Sequence, residues 1–281
     1  MKRTLVIGLC FIFTSAVFSQ EKVLDTAYLK CQYKYTYLKD TLDIATFDDL
    51  LILQIGRNIS KSYSYYTFQS DSLSKTPDGD LVRKEIFNRS LEDFKKHRDR
   101  NKFLNSFPRP RSATFVYKHY PQGKMTVTDA TGVEGVIYID SLNMQEWQMT
   151  DSIKTILCYS CQMAKCDFRG RHWTVWFSPD IPISDGPWKL NGLPGLIMEA
   201  YDRGHQYYFS IVGLEKVKEE PIVFTEPSNE KGKFTSIDRK EFLRIRMNRL
   251  THSASFMEAE EGFSFGKDKP LYRDLIERDY K

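Results

Sequence analysis

Cys158-Tyr159-Ser160-Cys161 carries the C-x-x-C spacing of thiol redox centres and of one arm of a zinc ribbon. Redox work needs the first thiol at the start of a helix, whose dipole lowers its pKa. Here the pair lies in a run from residue 156 to 168 that reads as a strand, which supplies no such field. A zinc site built from Cys31, Cys158, Cys161 and Cys166 lacks the second C-x-x-C arm. Oxidation is the other fate of these thiols. Cys161 and Cys166 sit about 17 Å apart along an extended strand, whereas a disulfide needs Cα atoms within about 7 Å. A bridge from Cys31 to one of Cys158, Cys161 or Cys166 is expected if their strands are neighbours, and a set of buried thiols if they are not.

Other reactive groupings are sparse. The chain has no H-E-x-x-H, G-x-G-x-x-G or Walker loop. Its five histidines stand singly, without metal-ligand spacing. No catalytic residue, metal or cofactor is assigned. A pair of carboxylates converging in space would still support acid and base chemistry, and Asp185 is the one placed to take part. Composition narrows the partners as well. Forty-one Lys and Arg against thirty-seven Asp and Glu give +4, and Lys2 and Arg3 contribute two of those charges. Phosphate-driven binding to nucleic acid wants a larger or more concentrated surplus.

The first nineteen residues read as a secretory signal. Lys2 and Arg3 form a basic start, residues 5–18 are apolar, and Val17 and Ser19 are small enough for cleavage before Gln20. The apolar stretch is short of the roughly 20 residues a membrane span needs, and no later segment reaches that length. Residues 20–281 are therefore expected as one exported β-rich domain, periplasmic or associated with the outer membrane.

The pattern that positions the candidate residues is mostly extended. Leu29, Cys31, Tyr33, Tyr35 and Tyr37 alternate with polar residues, which puts the large groups on one face of a strand. Further strands are read at 50–55, 63–68, 114–120, 124–129, 135–140, 145–150, 156–168, 173–177, 197–201 and 207–214. In the 156–168 run, the apolar phase changes near Met163, which implies a bulge. Helical spacing appears at 80–100, ending in Lys95-Lys96-His97-Arg98, and at 235–250.

One segment departs from this pattern. Residues 178–197, SPDIPISDGPWKLNGLPGLI, hold four of the chain's eleven prolines and three glycines. Proline fixes φ and glycine allows turns closed to other residues, so a long loop takes a defined path. Its apolar residues suit either a plug folded over the core or a surface for a partner or ligand, and the two can coexist. The candidate contact residues are Arg171, Trp176, Asp185, Gly186, Pro187, Trp188, Gly192, Leu193, Pro194, Gly195, Leu196 and Ile197.

The string Gly192-Leu193-Pro194-Gly195-Leu196-Ile197, with Phe168-Arg169-Gly170-Arg171, Trp173 to Phe177 and Ile181 to Pro187 before it, resembles the GLPGLI family of bacterial envelope proteins. Cys31 and Cys158 fall outside the family pattern. The resemblance implies an exported envelope protein linked to TonB-dependent outer-membrane transport; no activity is assigned to that family. The expected architecture is a single antiparallel curved sheet or half-barrel with one or two packed helices, the alternative being a two-sheet sandwich. The expected function is a non-enzymatic module that binds an envelope protein partner or an apolar ligand through the loop and the aromatic face. The alternatives are a hydrolase using Asp185 and a cysteine-based metal handler.

Overall fold

Strand β1 (Val23–Leu38) buries Leu29, Cys31, Tyr33 and Tyr35 and leaves the residues between them more exposed, as period-2 patterning requires. The computed structural model describes residues 22–38, 46–99, 102–103, 106, 110–132, 134–226, 233–261, 267–268 and 274–281. Residues 1–19, read above as a secretory signal, lie outside the described residues.

β1 pairs antiparallel with β2 (Thr46–Gly56) on one side and β11 (Tyr207–Val223) on the other. Beyond β2 come β3 (Ser60–Ser64), β4 (Phe115–Lys118), β5 (Lys124–Ala130), β6 (Gly135–Ser141) and the two-residue β12 (Thr235–Ser236). Beyond β11 come β10 (Leu196–Asp202), β9 (Arg171–Ser178), β8 (Tyr159–Phe168) and β7 (Gln148–Ile156). All twelve strands form one sheet, open between β12 and β7 and antiparallel except for the β12–β6 pairing. The expectation of a mainly β chain built on one largely antiparallel sheet holds and the two-sheet sandwich does not, while four helices accompany the sheet among the described residues where one or two were expected.

The continuous apolar run in β2 is explained by burial on both faces. Leu51, Leu53 and Ile55 belong to the main core, while Ile52 turns the other way toward Tyr63, Phe115 and Tyr117. The strand expected at 63–68 ends early. Ser64 caps helix α1 (Tyr65–Ser74), its hydroxyl accepting from the Thr67 amide at 3.2 Å. The aromatic residues at 65–68 suggest a strand by propensity, and the serine cap overrides it. Helix α2 (Gly79–His97) follows as expected, with its basic residues in the last turn.

The 235–250 helix is shorter than its pattern suggests. Thr235 and Ser236 extend the sheet, and Asp238 caps helix α3 (Arg239–Thr251) by accepting from Lys240 and Glu241 amides. Helix α4 (Ser253–Glu261) follows. The phase change near Met163 is present, with Cys161 and then Ala164, Cys166 and Phe168 buried. The inserted residues lie in the edge strand: Met149 faces Ala164 and Ile153 faces Gln162, whereas β8 and β9 stay in register. Among the described residues no helix is long and apolar enough to cross a membrane.

Candidate functional site

The 178–197 segment is a plug. Leu190, Leu193, Leu196 and Ile197 are buried, each worth about 1.5–3 kcal/mol relative to exposure. Polar anchors hold its path, among them Lys118, Tyr33 and Trp147. Lys118 from β4, itself 1% exposed, ion-pairs with Asp185 and donates to the carbonyls of Gly186 (2.7 Å) and Leu190 (2.8 Å). Tyr33 from β1 donates to the Ile197 carbonyl at 2.8 Å. Trp147 donates its indole N–H to the Asn191 carbonyl at 2.8 Å. Burial pushes the Lys118 ammonium below its ordinary pKa, and Asp185 opposes that shift. The Asp185 backbone also serves the loop, its carbonyl accepting from the Ile197 amide at 2.9 Å.

A buried ion network joins this plug to residues 274–281. The Lys189 ammonium is fully buried and donates to Asp140 at 2.7 Å and Glu277 at 2.5 Å. Arg169 ion-pairs with Asp140 and reaches Asp279 at 3.0 Å, while Arg239 from α3 binds Glu277 at 2.6 Å and Asp279 at 2.7 Å. Lys189, Arg169 and Arg239 thus balance Asp140, Glu277 and Asp279, which is what lets charges persist away from water. Arg171 fastens the same segment, donating to the carbonyls of Leu275 (2.7 Å) and Ile276 (2.9 Å) and pairing with Asp202 at 2.7 Å.

Between these supports lies a cavity of about 150 Å³. Tyr35, Tyr37, Tyr63, Tyr207, Phe209 and Trp188 supply its aromatic lining. Tyr35 stacks on Phe209 with ring centres 4.5 Å apart, and Tyr37 stacks on Tyr207 at 6.0 Å. Leu243, Arg246 and Leu250 of α3 face it, as do Leu275 and Ile276. Trp188 reaches the lining from a left-handed backbone (φ 53°), a conformation costly for a bulky residue and kept here by its packing against Trp173 and Phe168.

The candidate contact residues therefore divide. Of the hexapeptide, Gly192 and Pro194 are exposed and the rest is buried. Asp185, Gly186, Pro187 and Trp188 are buried too, and Trp188 alone of the twelve candidates lines the cavity. Arg171 is a buried organiser, its guanidinium 4.5 Å from the Tyr207 ring. Trp176 is half-buried, with the Lys154 ammonium 4.4 Å over its ring. Sequence reasoning passed over Lys118, Lys189, Asp140, Arg246 and Glu277. One signal was available: Lys189 sits between Trp188 and Leu190 in a segment read as a plug, and a cation buried there requires carboxylate partners.

The cysteines do not meet the condition set for a bridge. Strand β1 is separated from β8 by β11, β10 and β9, and the four thiols are free. Cys31, Cys161 and Cys166 are buried and Cys158 is exposed. Burial pushes the thiols of Cys31 and Cys166 up to about 12, where thiolate is scarce at neutral pH. In the protein without residues 1–19, and so without Cys10, iodoacetamide is expected to label Cys158 in the native state and all four remaining thiols after denaturation without reductant, as read by intact mass; a denatured product two labels short would reveal a disulfide. Among the described residues no three His, Cys, Asp or Glu side chains converge as metal ligands.

A family model described as a protein of unknown function (Porph_ging) matches residues 169–199, from the β8–β9 turn through the hexapeptide into β10. No curated protein matches the chain. Two solved structures of PNGF-II, in the P21 and C2 space groups, are similar to it at 12% identity, with TM-scores of 0.47 and 0.46. They cover 80% and 78% of this chain but 33% and 32% of their own, so the chain spans about a third of their length. The matched stretch is of the GLPGLI type, and it is the stretch that carries Arg169, Arg171, Asp185 and Lys189.

Proposed function

We propose that this chain is an exported, non-enzymatic module that binds a small apolar ligand, and that the ligand site is the aromatic cavity rather than the surface of the hexapeptide. The carrying observation is the cavity itself: six aromatic side chains, Trp188 among them, with residues of α3 and residues 274–276 completing the lining. Ligand pockets are concave, mostly apolar and fitted with a few polar groups, and this one follows that recipe. Its volume of about 150 Å³ is small, well below the roughly 300–1,000 Å³ of sites for drug-sized molecules. The reading thus favours a compact ligand over a long lipid or a protein side. Asp185, on which a hydrolase reading would rest, is committed to Lys118 and to the loop backbone. A role beside TonB-dependent transport and an envelope location belong to the same proposal, supported by the signal pattern of residues 1–19.

The expected result is a rise in Tm when toluene is added to saturation, because a ligand that binds only the folded state stabilises it by mass action. Leu250→Trp, which fills the cavity from α3, should remove that rise. An unchanged Tm for the unsubstituted protein would overturn the cavity as the ligand site. Export is tested separately by cell fractionation and by sequencing of the mature N-terminus, expected at Gln20.

A further inference from the structure

The cavity lining is mainly aromatic and apolar, with Ser62, Arg111, Ser112, Thr114, Arg246 and Asp274 as its polar members, and the chemistry of these narrows the ligand. Arg246 of α3 and Thr114 both line it. Arg246 donates through Nη1 to Asp129 Oδ2 at 2.6 Å, Thr114 donates its hydroxyl to the same oxygen, and Asp129 Oδ1 accepts from the Ala130 amide at 2.8 Å. The Asp129 side chain is 2% exposed and that of Arg246 is 35% exposed. One edge of the guanidinium is therefore anchored to a fully occupied, buried carboxylate. Among the described residues Nε and Nη2 of Arg246 have no acceptor. A guanidinium fixed in this way presents a preorganised pair of donors, whose best complement is a planar carboxylate taken through two parallel hydrogen bonds. The one carboxylate in the lining, Asp274, is engaged by Arg278 and Lys281, each at 3.0 Å.

Volume and lining decide the rest of the ligand. A dry apolar cavity of roughly 150 Å³ accommodates a benzene-sized molecule, and the volume here is about 150 Å³. Aromatic rings favour offset or edge-on partners, which Tyr35, Tyr207, Phe209 and Trp188 provide.

Building on the cavity reading above, we infer that the site takes a single-ring aromatic acid, its ring among the tyrosines and its carboxylate on Arg246. The test uses phenylacetate and its uncharged counterpart 2-phenylethanol, titrated by calorimetry against the whole protein at neutral pH. Phenylacetate is expected to bind at least about tenfold more tightly, the scale of a charge-assisted hydrogen bond. Arg246→Gln alone strands the buried Asp129 charge, so it is paired with Asp129→Asn to keep the site neutral. That double variant should bind both probes equally, near the 2-phenylethanol value of the unsubstituted protein. Equal affinities in the unsubstituted protein, or a preference for acid that survives in the double variant, would overturn the carboxylate assignment and leave the apolar site standing. Binding of neither probe would overturn both readings. The comparison in the unsubstituted protein decides the matter even if the double variant does not fold.

Discussion

Lys189→Ala is expected to destabilise the protein by about 3–5 kcal/mol, the cost of removing one partner from a buried ion pair. The substitution leaves Asp140 and Glu277, both almost wholly buried, short of the cation that lies 2.7 and 2.5 Å from them. Urea unfolding should show a lower midpoint with an unchanged slope. Lys154→Ala is the control: its ammonium also pairs with a carboxylate, Glu199 at 2.6 Å, but is 34% exposed, and exposed pairs are worth about 1 kcal/mol or less. Equal losses for the two variants would refute the role given to the network. Acid provides an independent check. Burial raises the Asp140 carboxyl, but Lys189 and Arg169 outweigh it and hold it below its ordinary 3.8. Burial also raises Asp279, and Arg239 and Arg169 again prevail. A carboxyl whose folded pKa is depressed contributes stability above its unfolded pKa and loses it as pH falls through the folded value. Stability should therefore drop below about pH 3.8, and Lys189→Ala should lessen the share of that drop due to Asp140.

Gly195→Ala is expected to cost about 3 kcal/mol, the upper end of ordinary overpacking. A Cβ there would stand 2.2 Å from the Ser178 carbonyl oxygen and 2.6 Å from its carbon. Both are backbone atoms at the point where β10 meets β9, with Leu196 opposite Ser178, so neither can swing aside. Gly192 needs glycine for a different reason. Its φ is +93°, while a Cβ added there would meet nothing closer than the Trp147 indole nitrogen at 3.5 Å, an ordinary van der Waals contact. Gly192→Ala should cost about 1–2 kcal/mol, the ordinary penalty for a left-handed backbone. By calorimetry the Gly195 variant should melt about 6–12 °C lower, and the Gly192 variant less. The reverse order would refute this account of the motif. Its six residues then have separate physical grounds: a left-handed turn, a buried leucine, a proline that fixes the path, a close backbone approach, and two core residues that open β10.

Much of this was legible in local patterning. The alternation at Leu29, Cys31, Tyr33 and Tyr35 gives β1 and its buried face, and the density of Pro and Gly at 178–197 gives a loop held in one shape. What escaped has a common cause. The partners of Lys118, Lys189 and Arg171 lie 67, 88 and 104 residues away in the chain, and no periodicity records such pairings. No motif or periodicity marks residues 274–281, because their charges are matched only after the sheet has assembled. The aromatic cavity was foreseeable in its ingredients, since Tyr33 to Tyr37 and Tyr207 to Phe209 stand out, but not in its location, which depends on β1 pairing with β11.

The network that joins the plug to residues 274–281 also sets an order of events during synthesis. Lys189 leaves the ribosome 88 residues ahead of Glu277, and Arg239 leaves 38 residues ahead of it. Until the later carboxylates emerge, Arg239 has neither of its ion-pair partners and Lys189 has only Asp140, so burying these cations would leave charge short of counterions. The nascent chain therefore has an electrostatic reason to hold its plug open, and the same reason would leave a prematurely terminated chain unable to close and exposed to proteolytic clearance.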